Sequence, residues 1–336
     1  KIEHTFTSLG VGISVDHTIE GYSSDTFLLS VSSGVQLSAL YKYRLDIARA
    51  LSAPNVRMNT ELLVYEGKSY FAIECTKERI KDLMFDTSEI NGSRIPIGKS
   101  NFDETLVWDF DNHSTPHALV CGSTGSGKTE FLISTLEYVL QANQADRVVI
   151  FDKKNEFVKY TGNPKVSIYT ELSDIETIAE LEVENMNRLI KSKTKERVFI
   201  IFDEFAQSFM EATKGNELKI YEDQCVGSFA SGVPKMKRMH VGTKKSLEEN
   251  IKMIAQLGRS SGYRMVAATQ RASAKTISGD TKVNFPIQIC FKVPKELDSK
   301  VVLDESGAET LRGRGDGLIR SPQYSNTLRF QGFYFR

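Results

Sequence analysis

The stretch that decides the fold is His117-Ala118-Leu119-Val120-Cys121-Gly122-Ser123-Thr124-Gly125-Ser126-Gly127-Lys128-Thr129. A short apolar strand leads into G-x-x-x-x-G-K-T, and a helical pattern follows with Phe131, Leu132, Leu136, Val139 and Leu140. Glycines let backbone amides converge on phosphate oxygens, and the helix N-terminus adds positive partial charge. Lys128 is the expected partner of the β- and γ-phosphates, and the Thr129 hydroxyl is an expected magnesium ligand. The expected nucleotide-binding set is therefore Gly122, Ser123, Thr124, Gly125, Ser126, Gly127, Lys128, Thr129 and Glu130, with ATP and Mg2+ as cofactors.

Working outward, residues 198–204 (VFIIFDE) are an apolar strand ending in two carboxylates. Asp203 suits the magnesium shell, and Glu204 suits polarisation of the attacking water as general base. Asp152, at the end of another apolar strand, is a rival metal ligand, but Lys153 follows it, which leaves water activation unexplained. No Asn-Lys-x-Asp guanine reader follows the loop; the order Asp152-Lys153-Lys154-Asn155 does not supply one. A small-molecule kinase stays open on the P-loop alone, because fold does not fix function.

Strand-like segments at 117–121, 147–151, 198–202, 264–269 and 287–293 alternate with helical patterns, which predicts an α/β domain with a largely parallel central sheet. Ser173 with Glu176 and Ser246 with Glu249 have the capping-box spacing. Before this domain, residues 1–92 read as a small α+β unit: a strand at 27–31, a helix over 36–52, and strands 61–65 and 69–75 around the turn Glu66-Gly67-Lys68. Asn91-Gly92-Ser93, Pro96 and Gly98 mark the expected boundary, leaving 93–336 as the larger domain with a basic insertion at about 207–245.

A length of 336 residues agrees with two domains, since single cores stop growing near about 250–300 residues. No window approaches the roughly 20 apolar residues of a membrane span. The chain starts Lys1-Ile2-Glu3, which suggests a piece of something longer. Cys75, Cys121, Cys225 and Cys290 are far apart without metal-ligand spacing, and read as reduced thiols of a cytosolic protein. Lys plus Arg and Asp plus Glu number 43 each, so any DNA contact must be local.

Four stretches together resemble the FtsK/SpoIIIE family of DNA translocases: 117–129, 198–205 (VFIIFDEF), 257–273 (LGRSSGYRMVAATQRAS) and 297–317 (LDSKVVLDESGAETLRGRGDG). Residues 45–52 (LDIARALS) and 65–70 (YEGKSY) likewise resemble the smaller domain that precedes that family's motor. The resemblance implies a RecA-like ATPase forming hexameric rings of identical subunits on double-stranded DNA, each site completed by a neighbour. It implies that Arg259 is the finger reaching a neighbour's γ-phosphate, and that Gln270 senses the γ-phosphate, with Arg271 a weaker interface candidate.

Two departures bear on function. The segment between Phe205 and Ser246 is longer than the chromosome-segregating members lead one to expect; it holds Gly215, Gly227, Gly232 and Pro234, and Lys235, Lys237, Arg238, His240, Lys244 and Lys245. It reads either as a DNA-facing element or as a solvated loop. No winged-helix module follows the last strand, at 327–334, so sequence-directed polarity is not expected. Within the resemblance, a conjugative coupling protein is the favoured expectation; a chromosome-segregation pump and a type VII-like protein-secretion ATPase are the alternatives. A membrane anchor or secretion-channel partner outside this segment would place the chain at the cytoplasmic face of the membrane.

Overall fold

The structure is a computed structural model describing residues 1–77, 82–212, 217–228 and 233–335. Helix α1 (Ile2–Ser8) precedes strands β1 (Ile13–Glu20) and β2 (Ser24–Val31), and α2 (Arg44–Leu51) leads to β3 (Val56–Met58), β4 (Leu63–Tyr65) and β5 (Lys68–Thr76). These strands form one sheet in the order β1-β2-β5-β3, with β4 paired to β5. The helix expected over 36–52 is instead a 3-10 turn at Leu37–Tyr43 followed by α2. Leu37, Leu40 and Tyr43 recur every third residue against one apolar cluster, and that period matches three residues per turn. The expected turn is real: Glu66 and Gly67 both have positive φ, 48° and 77°, which suits a tight hairpin.

The second sheet starts upstream of the expected boundary at 92. Its strands are β6 (Leu83–Met84), β7 (Arg94–Ser100), β8 (Thr105–Asp109), β9 (His117–Cys121), β10 (Arg147–Asp152), β11 (Val166–Tyr169) and β12 (Val198–Asp203). Helices α3 (Lys128–Gln141), α4 (Leu172–Ser192) and α5 (Phe205–Glu211) punctuate them. After α5 come β13 (Glu217–Ser228), β14 (Pro234–Lys245), α6 (Leu247–Leu257), β15 (Tyr263–Thr269), α7 (Gly279–Asn284), β16 (Ile287–Phe291), α8 (Glu296–Leu303), β17 (Asp316–Arg320) and β18 (Leu328–Tyr334).

The sheet order is β11-β10-β12-β15-β9-β16-β17-β18-β7-β8, with β6 beside β18. From β11 through β16 every neighbour is parallel; from β16 to β8 every neighbour is antiparallel. The central parallel strands are mostly apolar and buried because both faces are covered. Val149, Phe151, Ile200 and Phe202 join the cluster containing α4 and α6 residues, while Val148, Ile150, Phe199 and Ile201 join the cluster containing α3.

Ser246 caps α6 as expected, its hydroxyl accepting from the Glu249 amide at 3.3 Å. Ser173 does not cap α4: the helix begins at Leu172 with Glu171 as its N-cap, so Ser173 lies in the first turn. The expected basic insertion is a helix, α5, followed by a two-stranded antiparallel ribbon, β13–β14, that pairs with neither sheet. Gly215 and Gly232 lie outside the described residues. Cys225, on the ribbon, is exposed, whereas Cys75, Cys121 and Cys290 are buried.

Buried polar contacts join the two sheets. Arg57 of β3 pairs with Glu74 at 3.1 Å and with Glu305 at 3.5 Å. Arg329 of β18 donates to the Thr76 hydroxyl at 2.9 Å, and Asn101 donates to Ser24 and Thr26 at 2.7 and 3.1 Å. No described helix is long and apolar enough to cross a membrane.

Candidate nucleotide site

The loop Gly122–Gly127 leaves the end of β9 and turns into α3, whose first residue is Lys128. Gly127 is required by geometry: its φ is 110°, and a Cβ there would meet the Gly315 nitrogen at 2.5 Å. That close approach is a clamp. The amides of Arg314 and Gly315 donate to the carbonyls of Gly125 and Ser126 at 3.3 and 2.8 Å. On the other side, the Ser123 amide and hydroxyl both donate to the Lys292 carbonyl at 2.9 Å. The loop is thus fixed before any phosphate meets it.

Lys128 is only 2 % exposed. Its ammonium donates to Asp203 and lies 3.3 Å from Glu204. Burial opposes its charge, but the Asp203 and Glu204 carboxylates prevail and hold its pKa above the ordinary lysine value. Asp203 moves up, because burial outweighs the attraction of Lys128. For Glu204 burial pushes upward too, yet Lys128, the Lys154 ammonium at 2.8 Å and the Gln270 amide at 3.1 Å together bring it below the usual range. Glu204 is thereby kept ionised, the form a proton acceptor needs.

Its backbone is equally constrained. Glu204 sits at φ 54°, in the left-handed region, as N-cap of α5, an uncommon conformation for this residue type. Gln270, at the end of β15, reaches the same place, and its side-chain oxygen accepts from Thr124 at 3.3 Å. Strand β15 lies between β9 and β12, so Gln270 stands between the P-loop and the acidic pair.

Asp152, the rival metal ligand, is spent on the backbone. It is in register with Asp203, but its two oxygens accept from the amides of Lys154 and Phe157 at 3.2 and 2.9 Å. The turn so formed presents Lys154 to Glu204 and Glu156 to the Thr129 hydroxyl, 2.7 Å away. Sequence reading missed Lys154, Glu156 and the clamp residues Arg314 and Gly315. The run Asp152-Lys153-Lys154-Asn155 was the available signal for Lys154; nothing in spacing alone marks the others.

A cavity of about 530 Å³ opens beside the loop, lined also by Glu156, Gln270, Asp82, Leu83, Phe333 and Tyr334. Glu130 is exposed on its rim. No cluster of three metal-ligating side chains occurs among the described residues. Thr129 and Asp203, whose Oδ2 has no hydrogen-bond partner, fit a magnesium ion held mainly by phosphates and water.

Arg259 is not brought to this site. It lies in the turn Gly258–Ser261 before β15, where it donates to the His113 carbonyl at 2.7 Å. Strands β15 and β9 are parallel and in register, so Arg259 precedes one end of the sheet while the P-loop follows the other, about 20 Å away.

A P-loop at the end of a parallel strand, a carboxylate pair two strands away and a glutamine between them define a RecA-like P-loop ATPase. The chain belongs to the family of the helicase HerA central domain, whose profile matches residues 95–280. The resemblance to FtsK/SpoIIIE proteins holds along the chain. The DNA translocase FtsK of Caldanaerobacter subterraneus subsp. tengcongensis is 29% identical over 347 residues, covering 99% of this chain and 46% of that protein. The FtsK of Streptococcus agalactiae is 28% identical over 348 residues, covering 99% and 41%. The chain thus spans less than half the length of these relatives. Among solved structures, the pCW3 conjugation coupling protein TcpA, in a monomer form with ATPγS, aligns with TM-score 0.62 and 20% identity over 99% of this chain and 94% of that one. The type VII secretion ATPase EccC of Thermomonospora curvata aligns with TM-score 0.56 and 20% identity over 75% of this chain and 30% of that one. At those identities the likeness is one of fold.

Proposed function

We propose that this chain is the motor of a translocase that hydrolyses ATP to move double-stranded DNA, acting as a ring of six identical subunits in conjugative transfer. The observation that carries the ATPase part is the grouping of Lys128, Asp203, Glu204 and Gln270 around one loop. DNA as substrate is supported by the FtsK relatives, which match 99% of the chain. The conjugative role is supported by the TcpA fold, which aligns over the small α+β unit as well as the motor.

In this reading Lys128 exchanges its carboxylate partners for the β- and γ-phosphates. Thr129 and Asp203 hold magnesium, which when bound neutralises phosphate charge. Glu204 takes a proton from the attacking water, and Gln270, joined to Glu204 through its amide, registers the γ-phosphate. Arg259, out of reach of its own loop, serves the site of the adjacent subunit. Anchorage at the cytoplasmic face of the membrane, through regions outside this chain, belongs to the same proposal.

Secretion of protein is the second reading, supported by the EccC fold over 75% of the chain. Steady-state ATP hydrolysis with and without linear duplex DNA separates the two, with Glu204→Gln as the blank. DNA of any sequence should raise the rate; a rate indifferent to DNA at every protein concentration rejects translocation of DNA.

A further inference from the structure

We propose that the ribbon β13–β14 is an arm that lies in the major groove of duplex DNA and reports that contact to Glu204. This rests on the DNA reading above and names the element that makes the contact.

The ribbon belongs to neither sheet; its strands pair only with one another. At 12 residues each, they project about 40 Å. A lone two-stranded ribbon is marginally stable in water, so its extended form favours a surface to lie on. Its charge is distributed unevenly. Glu217 and Glu222 lie in the root half of β13 and Asp223 just past its midpoint, while residues 224–239 contain Lys235, Lys237 and Arg238 and no carboxylate. Beside these cations, Val226 and Met236 are exposed. Cations for phosphates together with apolar groups for base edges suit a groove, and the major groove admits a two-stranded ribbon. A membrane surface would engage the exposed Val226 and Val233 near the tip and make no use of cations along the whole length. Here Lys235, Lys237, Lys244 and Lys245 are spread along β14, a span of about 33 Å, as a strand following phosphates requires.

The root connects the arm to the chemistry. Helix α5 starts at the residue after Glu204 and leads into β13. Glu211, at its end, pairs with Lys153, next to the Lys154 that holds Glu204. Ordering of the ribbon on DNA therefore bears on both ends of the Glu204 environment, which is the physical route by which DNA would raise turnover.

The test shortens the arm without opening the fold. Glu222 and Met239 face each other in the ribbon, so replacing residues 223–238 by Asn-Gly closes a new hairpin at that point. Duplex affinity should fall at least about tenfold, and DNA stimulation should vanish, while DNA-free hydrolysis and ATP affinity match the parent chain. In full-length ribbon, Lys235→Glu with Lys237→Glu should reduce the slope of log affinity on log salt by about 2, near one per phosphate contact. Unchanged duplex affinity and stimulation in both variants would overturn the inference. So would a shortened arm that keeps its DNA response but loses binding to phosphatidylserine vesicles, which would assign the arm to the membrane. A parent chain that ignores DNA altogether overturns the translocase reading itself.

Discussion

Asp316 and Arg329 form a fully buried bidentate ion pair, with Nε to Oδ1 at 2.9 Å and Nη2 to Oδ2 at 2.7 Å, directly behind the P-loop clamp. Asp316 also accepts from the Arg312 amide, and Arg329 also donates to Thr76 of the small sheet. Asp316→Asn removes the bidentate partner and leaves the buried Arg329 charge opposed only by the Glu74 carboxylate at 3.7 Å, a change that costs about 3–5 kcal/mol. Urea unfolding should show that loss. Because the clamp amides lie at 314 and 315, ATP affinity should fall about tenfold or more in the folded fraction. Arg329→Lys, which keeps charge but not the fork, should lie between; unaltered ATP affinity in both would separate the pair from the loop.

Lys128→Ala should abolish nucleotide binding, since the buried ammonium at the first residue of α3 is removed. Glu204→Gln should bind ATP at near-parental affinity and lose about 10²–10⁴ in turnover, the usual worth of a positioned base. Isothermal titration and single-turnover hydrolysis distinguish the two; full activity in either variant contradicts the roles given above.

Arg259→Ala should keep folding and ATP affinity but lose turnover, because the residue stands at the far end of the sheet from its own P-loop. Mixing it with Glu204→Gln gives the clearer result. Neither chain should turn over alone, but under the ring proposal a mixture would bring an intact Glu204 against an intact Arg259 from a neighbour, and hydrolysis should return. Failure of any mixture to recover would place Arg259 outside the reaction.

His117 supplies a stability term that depends on pH. Burial, then the nearby Arg264, pushes its imidazole down to about 3, and its Nδ1 accepts from the Met265 amide at 3.0 Å. A group harder to protonate when folded favours the folded state above its unfolded pKa, about 6.5, and that advantage declines as pH falls toward the folded value. The loss is about 1.4 kcal/mol per pH unit, hence about 2 kcal/mol between pH 6.5 and 5. Unfolding free energies of the parent and of His117→Asn at those two pH values should diverge by that amount; parallel pH dependence would contradict it.

Local pattern carried most of the catalytic reading. The P-loop, both carboxylates and five of the six parallel strands stand where alternation and motif spacing place them, because each is encoded by neighbours in the chain; the four-residue edge strand β11 is too short to show a pattern. What escaped was encoded by contact. The clamp on Gly125 and Ser126 comes from residues 314 and 315, and no sequence spacing announces it. Lys154 and Glu156 enter the site only because Asp152 folds the intervening turn. The ribbon was obscured by its own irregularities: register shifts at Ile220/Tyr221 and Cys225/Ser228 break the period of two by which strands are recognised. The helix over 36–52 failed because a repeat of three was read as one of 3.6.

The position of Cys225 gives this ribbon a practical use. It is the exposed thiol among four cysteines, the other three being buried, and it sits on the outer half of the arm. A maleimide dye added to the native chain should therefore mark a single place, without any cysteine having to be removed. Its fluorescence would follow the arm in real time through binding, hydrolysis and release, so the protein carries its own attachment point for watching the stroke.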